Sequence, residues 1–158
     1  MHLRYLKIAF VLSMAVWALI TFIGNLFLIP GTYQSVQRVT SMSGVPRVLP
    51  IATDSALVAW LGVALIVVGK AVAAACLLIG LDHMWIARAA GSAVFNDAKS
   101  WALFGGWVTV LWLFVGFALV GEIIFYMFTN ERGAKEAQSA IRYATYFALP
   151  LLFIAQDD

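Results

Sequence analysis

Residues 56–85, with the sequence ALVAWLGVALIVVGKAVAAACLLIGLDHMW, form an apolar run long enough to cross a lipid bilayer. A spanning α-helix needs about 20 apolar residues, because each residue advances about 1.5 Å through a hydrocarbon core roughly 30 Å thick. Lys70 lies near the middle of this run. At that depth a charged side chain costs about 3 kcal/mol even on lenient insertion scales. The run therefore predicts a transmembrane helix, and the fold must offset the free-energy cost of its buried lysine.

The composition of the whole chain is that of an integral membrane protein. Of its 158 residues, 63% are hydrophobic and 11% are charged, whereas soluble domains average roughly 45–50% apolar and about 25% charged residues. The net charge of +2 comes without a basic run, which argues against nucleic-acid binding. The single cysteine, Cys76, has no partner for a disulfide or a thiolate cluster. We predict one domain over residues 1–158, with little mass outside the bilayer.

Three further apolar stretches predict helices at residues 8–29, 101–128 and 135–155. With residues 56–85 they make an all-α fold, a four-helix transmembrane bundle. Residues 30–55 form the longest polar stretch and contain the helix breakers Pro30, Pro46 and Pro50, which predicts a loop. Apolar residues at helical spacing within this loop suit a short helix in the headgroup zone, and a surface turn fits them equally well.

The basic residues around the first span indicate the orientation. Arg4 and Lys7 lie just before this span, and no basic residue lies close to its far end. Basic residues favour the cytoplasmic side and the first helix usually dominates, so we expect both termini in the cytoplasm. The other basic residues divide almost evenly, with Arg88 and Lys99 on the side of the termini and Arg38, Arg47, Arg132, Lys135 and Arg142 on the other.

Small residues mark the helix faces that we expect to pack together. Lipid tails are as apolar as leucine, so transmembrane helices associate through close van der Waals contact and a few polar contacts. The second and third spans supply small residues suited to such contact, namely Gly62, Gly69, Ala73, Gly105, Gly116 and Gly121. The aromatic residues of the third span are predicted to face lipid or the interface. The second span is therefore expected to be central in the bundle.

Four groups are candidate polar contacts at membrane depth: Asn25, Lys70, Glu122 and the backbone carbonyl of Tyr146, which Pro150 frees by lacking an amide hydrogen. Lys70 can pair with Glu122, which differs from it in depth by roughly 10 Å. It can instead bind the Tyr146 carbonyl, or extend toward the membrane surface. A place in an ion or proton path is a further alternative, although such paths normally contain several ionisable groups in series.

Asp82, His83 and Trp85 predict that the second span ends at the membrane interface, where a quinone or a lipid could bind. Adjacent helical residues point about 100° apart, so Asp82 and His83 are poorly placed to share a metal ion. His2 precedes the first span, which leaves no pair of histidines for haem. The sequence shows no nucleophile with a base and no phosphate-binding loop. We expect no catalytic residue, metal or cofactor, and no enzymatic activity.

Several short segments resemble one known family. They are Val36-Gln37-Arg38-Val39, Ala93-Val94-Phe95-Asn96, Gly116-Phe117, Gly121-Glu122 and the ending Phe153-Ile154-Ala155-Gln156. Over nearly its whole length the chain is similar to the bacterial small integral membrane proteins that are classified as a domain of unknown function, with four predicted spans. The resemblance implies a four-helix fold in the bacterial inner membrane and no established activity. The position of Lys70 is often acidic in that family, whereas Glu122 matches its pattern.

The leading hypothesis is a non-enzymatic accessory or scaffold subunit of a larger inner-membrane complex, with a respiratory or other energy-transducing complex as one setting. Small packing faces and little extramembrane mass suit a protein whose role is contact. Two alternatives stay open. One is a small transporter or channel with Glu122 and Lys70 lining the path, and the other is a quinone- or lipid-binding subunit that uses Asp82, His83 and Trp85.

Overall fold

The computed structural model describes residues 2–45 and 49–158, and these parts of the chain are helical, with no β-strand among them. The all-α prediction is confirmed for the described residues. Pro46, predicted to break the loop, and Arg47, counted in the charge balance, lie outside them. The helices are α1 His2–Phe27, α2 Ile29–Thr40, α3 Ala56–Ile86, α4 Ser92–Ala98, α5 Ser100–Leu113 and α6 Glu131–Ile154.

Two kinds of shorter helical segment complete the chain. A π-helical segment, Phe114–Ile124, continues α5 without a break. Two 3₁₀ turns, Ala87–Ala89 and Met127–Thr129, follow α3 and precede α6. Tyr126 has a left-handed φ of 52°, which reverses the chain between the π segment and the second turn. Asn130 then caps α6, because its Oδ1 accepts a hydrogen bond from the Gly133 amide at 2.7 Å.

Three helical stretches are long and apolar enough to cross a membrane: His2–Phe27, Ala56–Ala89 and Ser92–Ile124. The last of these contains α4, α5 and the π segment. α6 has 24 residues, but its N-terminal half carries five charged side chains, Glu131, Arg132, Lys135, Glu136 and Arg142. The helix that the sequence predicts as a fourth span is therefore amphipathic over its first half and apolar over its second.

The helix ends differ from the sequence prediction in ways that have local causes. α1 begins at His2 and not at residue 8, because Arg4 and Lys7 find acceptors on neighbouring segments and can lie inside the helix. The polar stretch after α1 forms the helix α2, with Pro30 in its first turn, where a missing amide hydrogen breaks no helical hydrogen bond. The region predicted as one helix over residues 101–128 is divided into α5, the π segment and a 3₁₀ turn.

Contacts between successive long helices show that they run antiparallel and define two ends of the molecule. At the terminal end, Arg4 Nη1 donates to the Ala90 carbonyl at 2.6 Å and Lys7 Nζ donates to the Gln156 carbonyl at 2.6 Å. At the opposite end, which we call the loop end, the ring of Tyr33 on α2 stacks 4.9 Å from Trp60 of α3. α3 packs most extensively against α1 and α5, and α5 also packs against α6. α3 is thus central, as the sequence predicts.

The hydrophobic core is concentrated toward the terminal end. Its buried members come from α1, α3, α4, α5 and α6 and include Val11, Ala18, Leu77, Met84, Phe95, Ala102, Phe147, Leu151 and Ile154. Further from that end, residues 19–27 of α1, 64–72 of α3 and 114–120 of the π segment include no buried residue. We call these three stretches the open level. The helices therefore bury more of their side chains near the terminal end than at the open level.

Candidate functional site

A close backbone contact joins α3 and α5 toward the terminal end. A Cβ atom added to Gly80 would collide with the backbone nitrogen and Cα of Ala102. A Cβ on Gly105 would lie 2.8 Å from Cys76 Cβ and 2.9 Å from the Ala73 carbonyl oxygen. Real Cβ atoms do not approach neighbours so closely, so only glycine allows these two backbones to touch. This pair of helices is the rigid frame on which the polar residues described below are mounted.

The other predicted packing residues are distributed unevenly. Gly69 lies under the ring of Trp112, which a Cβ would approach at 3.2 Å, and Gly62 accommodates Val36 of α2. Gly121 faces Met127 in the following turn and not another long helix. A Cβ atom added to Gly116 would have no neighbouring atom of the described chain within 4 Å, so its packing role stays a prediction. Gly116 lies in the π segment, which packs mainly against α6 and α5.

Lys70 lies on the face of α3 that is otherwise buried. It is seven residues from both Val63 and Leu77, and a spacing of seven is close to two helical turns, so the three residues share one face. Val63 is 3% exposed and Leu77 is fully buried, whereas Lys70 is only partly buried. Lys70 therefore faces the bundle interior where the open level leaves it uncovered. Within the described residues its ammonium makes no hydrogen bond or salt bridge.

Asn25 repeats this arrangement on α1. Val11 and Ala18 precede it at spacings of seven and are 0% and 2% exposed, whereas Asn25 itself is only partly buried. Its side chain has no hydrogen-bond partner among the described residues. Two polar side chains at membrane depth thus occupy core-facing positions in the open level, one on each of two adjacent helices.

Glu122, near the end of the π segment, does not pair with Lys70. Because Gly69 faces Trp112 and Gly80 faces Ala102, Lys70 lies opposite residue 111 or so of α5. Glu122 is roughly 11 residues further along, which separates the two in depth by up to about 16 Å at 1.5 Å per residue. The difference exceeds the value expected from the sequence because α3 and α5 are staggered. Glu122 is partly buried and has no hydrogen-bond partner in the described parts of the chain.

The Tyr146 carbonyl, the other proposed partner of Lys70, receives no hydrogen bond from it. Tyr146 is 59% exposed on α6, a helix that packs mainly against α5 and the π segment. An apolar groove of ≈ 550 Å³ lies beside it, lined by Leu6, Phe10, Tyr146, Leu149, Pro150 and Phe153. The groove lies between α1 and α6 and offers one polar side chain, the tyrosine.

Asp82, His83 and Trp85 all lie near the end of α3 and are exposed. Arg88 covers one face of Trp85, with its guanidinium carbon 4.5 Å from the ring centroid and its Nη1 donating to the Trp85 carbonyl at 2.6 Å. Among the described residues no three His, Cys, Asp or Glu side chains converge as metal ligands. The predicted interface residues therefore form a polar and aromatic surface.

A second polar site lies at the terminal end and consists of Lys7, Lys99 and Asp158. The Asp158 Oδ2 atom lies 3.1 Å from Lys7 Nζ and 2.6 Å from Lys99 Nζ. Both lysines are 2% exposed and also donate to the Gln156 carbonyl, at 2.6 and 2.8 Å. Lys99 completes its bonds with Asn96 Oδ1 at 2.6 Å. This lysine–aspartate cluster joins α1, the α4–α5 junction and the tail after α6.

Residues 3–157 match the model of a family described as predicted small integral membrane proteins (DUF2165). The chain belongs to this family. The resemblance inferred from the sequence is confirmed, and with it the association of the chain with a lipid bilayer. Neither the curated proteins nor the solved structures include a match.

The electrostatics of the lysine–aspartate cluster favour a charged carboxylate in this DUF2165 protein. Burial alone would raise the pKa of Asp158, but the hydrogen bonds and positive charges of Lys99 and Lys7 outweigh it and hold that pKa below its usual range. The side chain of Asp158 is 7% exposed, at the end of the bundle. Two cations facing one anion leave the cluster with net positive charge, which aromatic rings partly balance. Lys99 lies 5.4 Å from the centroid of Phe95, and Lys7 lies 5.6 Å from that of Phe153.

Reasoning from the sequence missed this cluster. Lys7 and Lys99 are predicted only as basic residues that set orientation, and Asp158 lies more than 50 residues from either lysine. The available signal is that each residue adjoins the terminal-end boundary of an apolar helix, so an antiparallel bundle brings all three to one end. In the DUF2165 protein the cluster is saturated with internal hydrogen bonds and holds the tail in place. By contrast, Asn25 and Lys70 at the open level make no side-chain hydrogen bond within the described residues.

Proposed function

We propose that this DUF2165 protein is a non-enzymatic accessory subunit of a membrane-protein complex, located in the bacterial inner membrane. One observation carries the proposal: Asn25 and Lys70 occupy core-facing positions at membrane depth and take no partner from the described chain. Apolar side chains left open at that level are solvated well by lipid. Polar ones are not, because hydrocarbon offers no hydrogen bonds. A neighbouring protein that covers the open level supplies what lipid lacks.

The proposed topology has four spans with both termini in the cytoplasm. The 24 residues of α6 extend about 36 Å at 1.5 Å per residue, which exceeds the thickness of the hydrocarbon core, and the apolar half, residues 143–154, accounts for about 18 Å of that length. Its charged N-terminal half lies at the loop end, where Arg132 pairs with Glu136 at 3.0 Å. Its apolar half contributes Phe147, Leu151 and Ile154 to the core. The placement of Arg4, Lys7, Arg88 and Lys99 near the terminal end supports a cytoplasmic location for that end.

The geometry favours this proposal over transport. A path for ions needs polar groups in series, but Lys70 and Glu122 differ in depth by up to about 16 Å and no polar side chain bridges them in the described residues. The apolar groove between α1 and α6 also lacks the convergent polar groups that orient a small ligand such as a quinone. Contact with another protein is the function that uses the residues left unsatisfied.

Purification of the tagged, full-length chain in a mild detergent tests the proposal. We expect a second polypeptide at a fixed ratio that survives size-exclusion chromatography and is lost in a harsh detergent. A tagged, unrelated membrane protein of similar size, expressed at the same level, controls for non-specific capture. A homogeneous preparation that contains only copies of this chain would overturn the proposed function.

A further inference from the structure

We propose that Lys70 binds a carboxylate supplied by a transmembrane helix of a different polypeptide. The inference rests on the proposed function and specifies the partner of the open level: a spanning helix with one aspartate or glutamate near the middle of the membrane. It assigns a role to a lysine whose position costs free energy and whose ammonium the described chain leaves unbound.

Membrane depth excludes lipid headgroups as the counter-ion. α3 has 31 residues, Ala56–Ile86, and Lys70 is near its midpoint. At about 1.5 Å per residue, the lysine is roughly 20 Å along the axis from either end of the helix. Anionic headgroups lie at the interface, beyond the roughly 15 Å half-thickness of the hydrocarbon core.

The chain itself offers one acid within its apolar helices that could serve, and that acid is too far away. Glu122 differs from Lys70 in depth by up to about 16 Å at 1.5 Å per residue. The other acidic residues lie at or near helix ends: Asp54, Asp82, Asp97, Glu131, Glu136, Asp157 and Asp158. Asp158 is already bound by two lysines. An intramolecular salt bridge to Lys70 is therefore not available.

A second copy of the chain cannot supply the carboxylate for Lys70 either. Copies inserted with one topology are related by rotation about the membrane normal, which preserves the depth of every residue. Lys70 of one copy then meets Lys70 of the other at its own depth, and Glu122 stays about two to three helical turns away. Like charges in a low dielectric repel strongly. The carboxylate must come from a chain of different sequence.

The open level gives such a helix a route to the lysine. Residues 19–27 of α1 and 64–72 of α3 carry no buried residue, so an additional helix can approach Lys70 without displacing core side chains. Asn25 lies nearby in depth, because α1 and α3 run antiparallel with Arg4 beside Ala90. A carboxylate seated there accepts a charge-assisted hydrogen bond from Lys70 and leaves Asn25 available for a second polar contact.

A peptide-binding measurement tests the inference without knowledge of the natural partner. The full-length chain, carrying a fluorescent donor, is reconstituted in phosphatidylcholine vesicles with acceptor-labelled Leu/Ala peptides of about 20 residues flanked by lysines. The peptides carry Asp, Asn or Leu at the central position. Energy transfer should show about tenfold tighter association of the Asp peptide than of the Asn peptide, because charge-assisted hydrogen bonds are roughly twice as strong as neutral ones.

Two variants give the controls. With Lys70→Met, the Asp and Asn peptides should associate equally well. Val68→Met, at an exposed position of α3 at the same depth, should leave the preference for the Asp peptide intact. Equal association of the wild-type chain with the Asp and Asn peptides overturns the inference, and that comparison needs no variant to fold. A Lys70→Met chain that still prefers the Asp peptide also overturns the inference. A stable complex with a second polypeptide but no Asp preference refutes this inference alone, whereas purification of copies only refutes the proposed function.

Discussion

Adding a single methyl group at Gly80 should destabilise the fold by about 2 kcal/mol. In the Gly80→Ala variant the new Cβ would overlap the backbone nitrogen and Cα of Ala102. Backbone atoms cannot rotate aside as a side chain can, so α3 and α5 must separate by on the order of 1 Å, which forfeits a quarter to a half of each contact energy along the seam. Overpacking costs about 1–3 kcal/mol, and a clash with backbone atoms belongs at the upper end, about 3 kcal/mol; alanine returns up to about 1 kcal/mol of helix propensity, which leaves a net loss of about 2 kcal/mol.

The assay is thermal unfolding in mild detergent, followed by tryptophan fluorescence and by the fraction that still elutes as a monodisperse peak. The matched control is Gly24→Ala in α1, where nothing lies within 4 Å of an added Cβ; it should be neutral or slightly stabilising. A loss of about 2 kcal/mol corresponds to a midpoint lower by roughly 4–8 °C for a chain of this size. Equal midpoints for the two variants would refute the close backbone contact between α3 and α5.

Three further predictions concern the lysine–aspartate cluster and the remaining glycines. Asp158→Asn should lower the free energy of unfolding by about 1–3 kcal/mol, because Lys7 and Lys99 lose their carboxylate. Asp157→Asn is the control. Equal thermal midpoints for the two variants would contradict the role of the cluster. The pKa of Asp158 is lowered on folding, so its contribution is present above the unfolded value of about 3.9 and is lost as pH falls through the lower folded value. The difference in thermal midpoint between wild type and Asp158→Asn should therefore stay constant from pH 7 to about pH 4 and close only below that; closure already near pH 6 would count against the assignment. Gly105→Ala should lower the midpoint whereas Gly116→Ala should not, and the reverse order would show that the π segment packs differently.

The sequence was sufficient to predict the class of fold because the apolar runs are long. An apolar run as long as residues 56–85 is typical of a transmembrane helix and not of a helix in a soluble protein. The structure has a helix at Ala56–Ile86. The small residues Gly69, Ala73 and Gly105 indicated the α3–α5 seam because close backbone approach requires them. At Gly116, which lies in the π segment that begins at Phe114, the described chain places no atom within 4 Å of an added Cβ, so the small residue alone does not identify a contact.

The sites were harder to predict because they depend on stagger between helices. Whether Lys70 meets Glu122 is decided by a shift of a few residues between α3 and α5, and no single-helix pattern contains that shift. The lysine–aspartate cluster depends on the antiparallel return of α6, which brings Gln156 and Asp158 to Lys7. Such a pairing between residues so distant along the chain leaves no local signature in the sequence.

Native mass spectrometry of the protein released from membrane vesicles tests the need for a foreign carboxylate most directly. For the wild-type chain we predict a complex whose mass exceeds a whole multiple of 17.3 kDa by that of a second polypeptide. For Lys70→Met we predict loss of that additional mass, and for Val68→Met its retention. Masses at whole multiples of the chain alone in the wild type, or an undiminished complex in Lys70→Met, would contradict a docking role for Lys70.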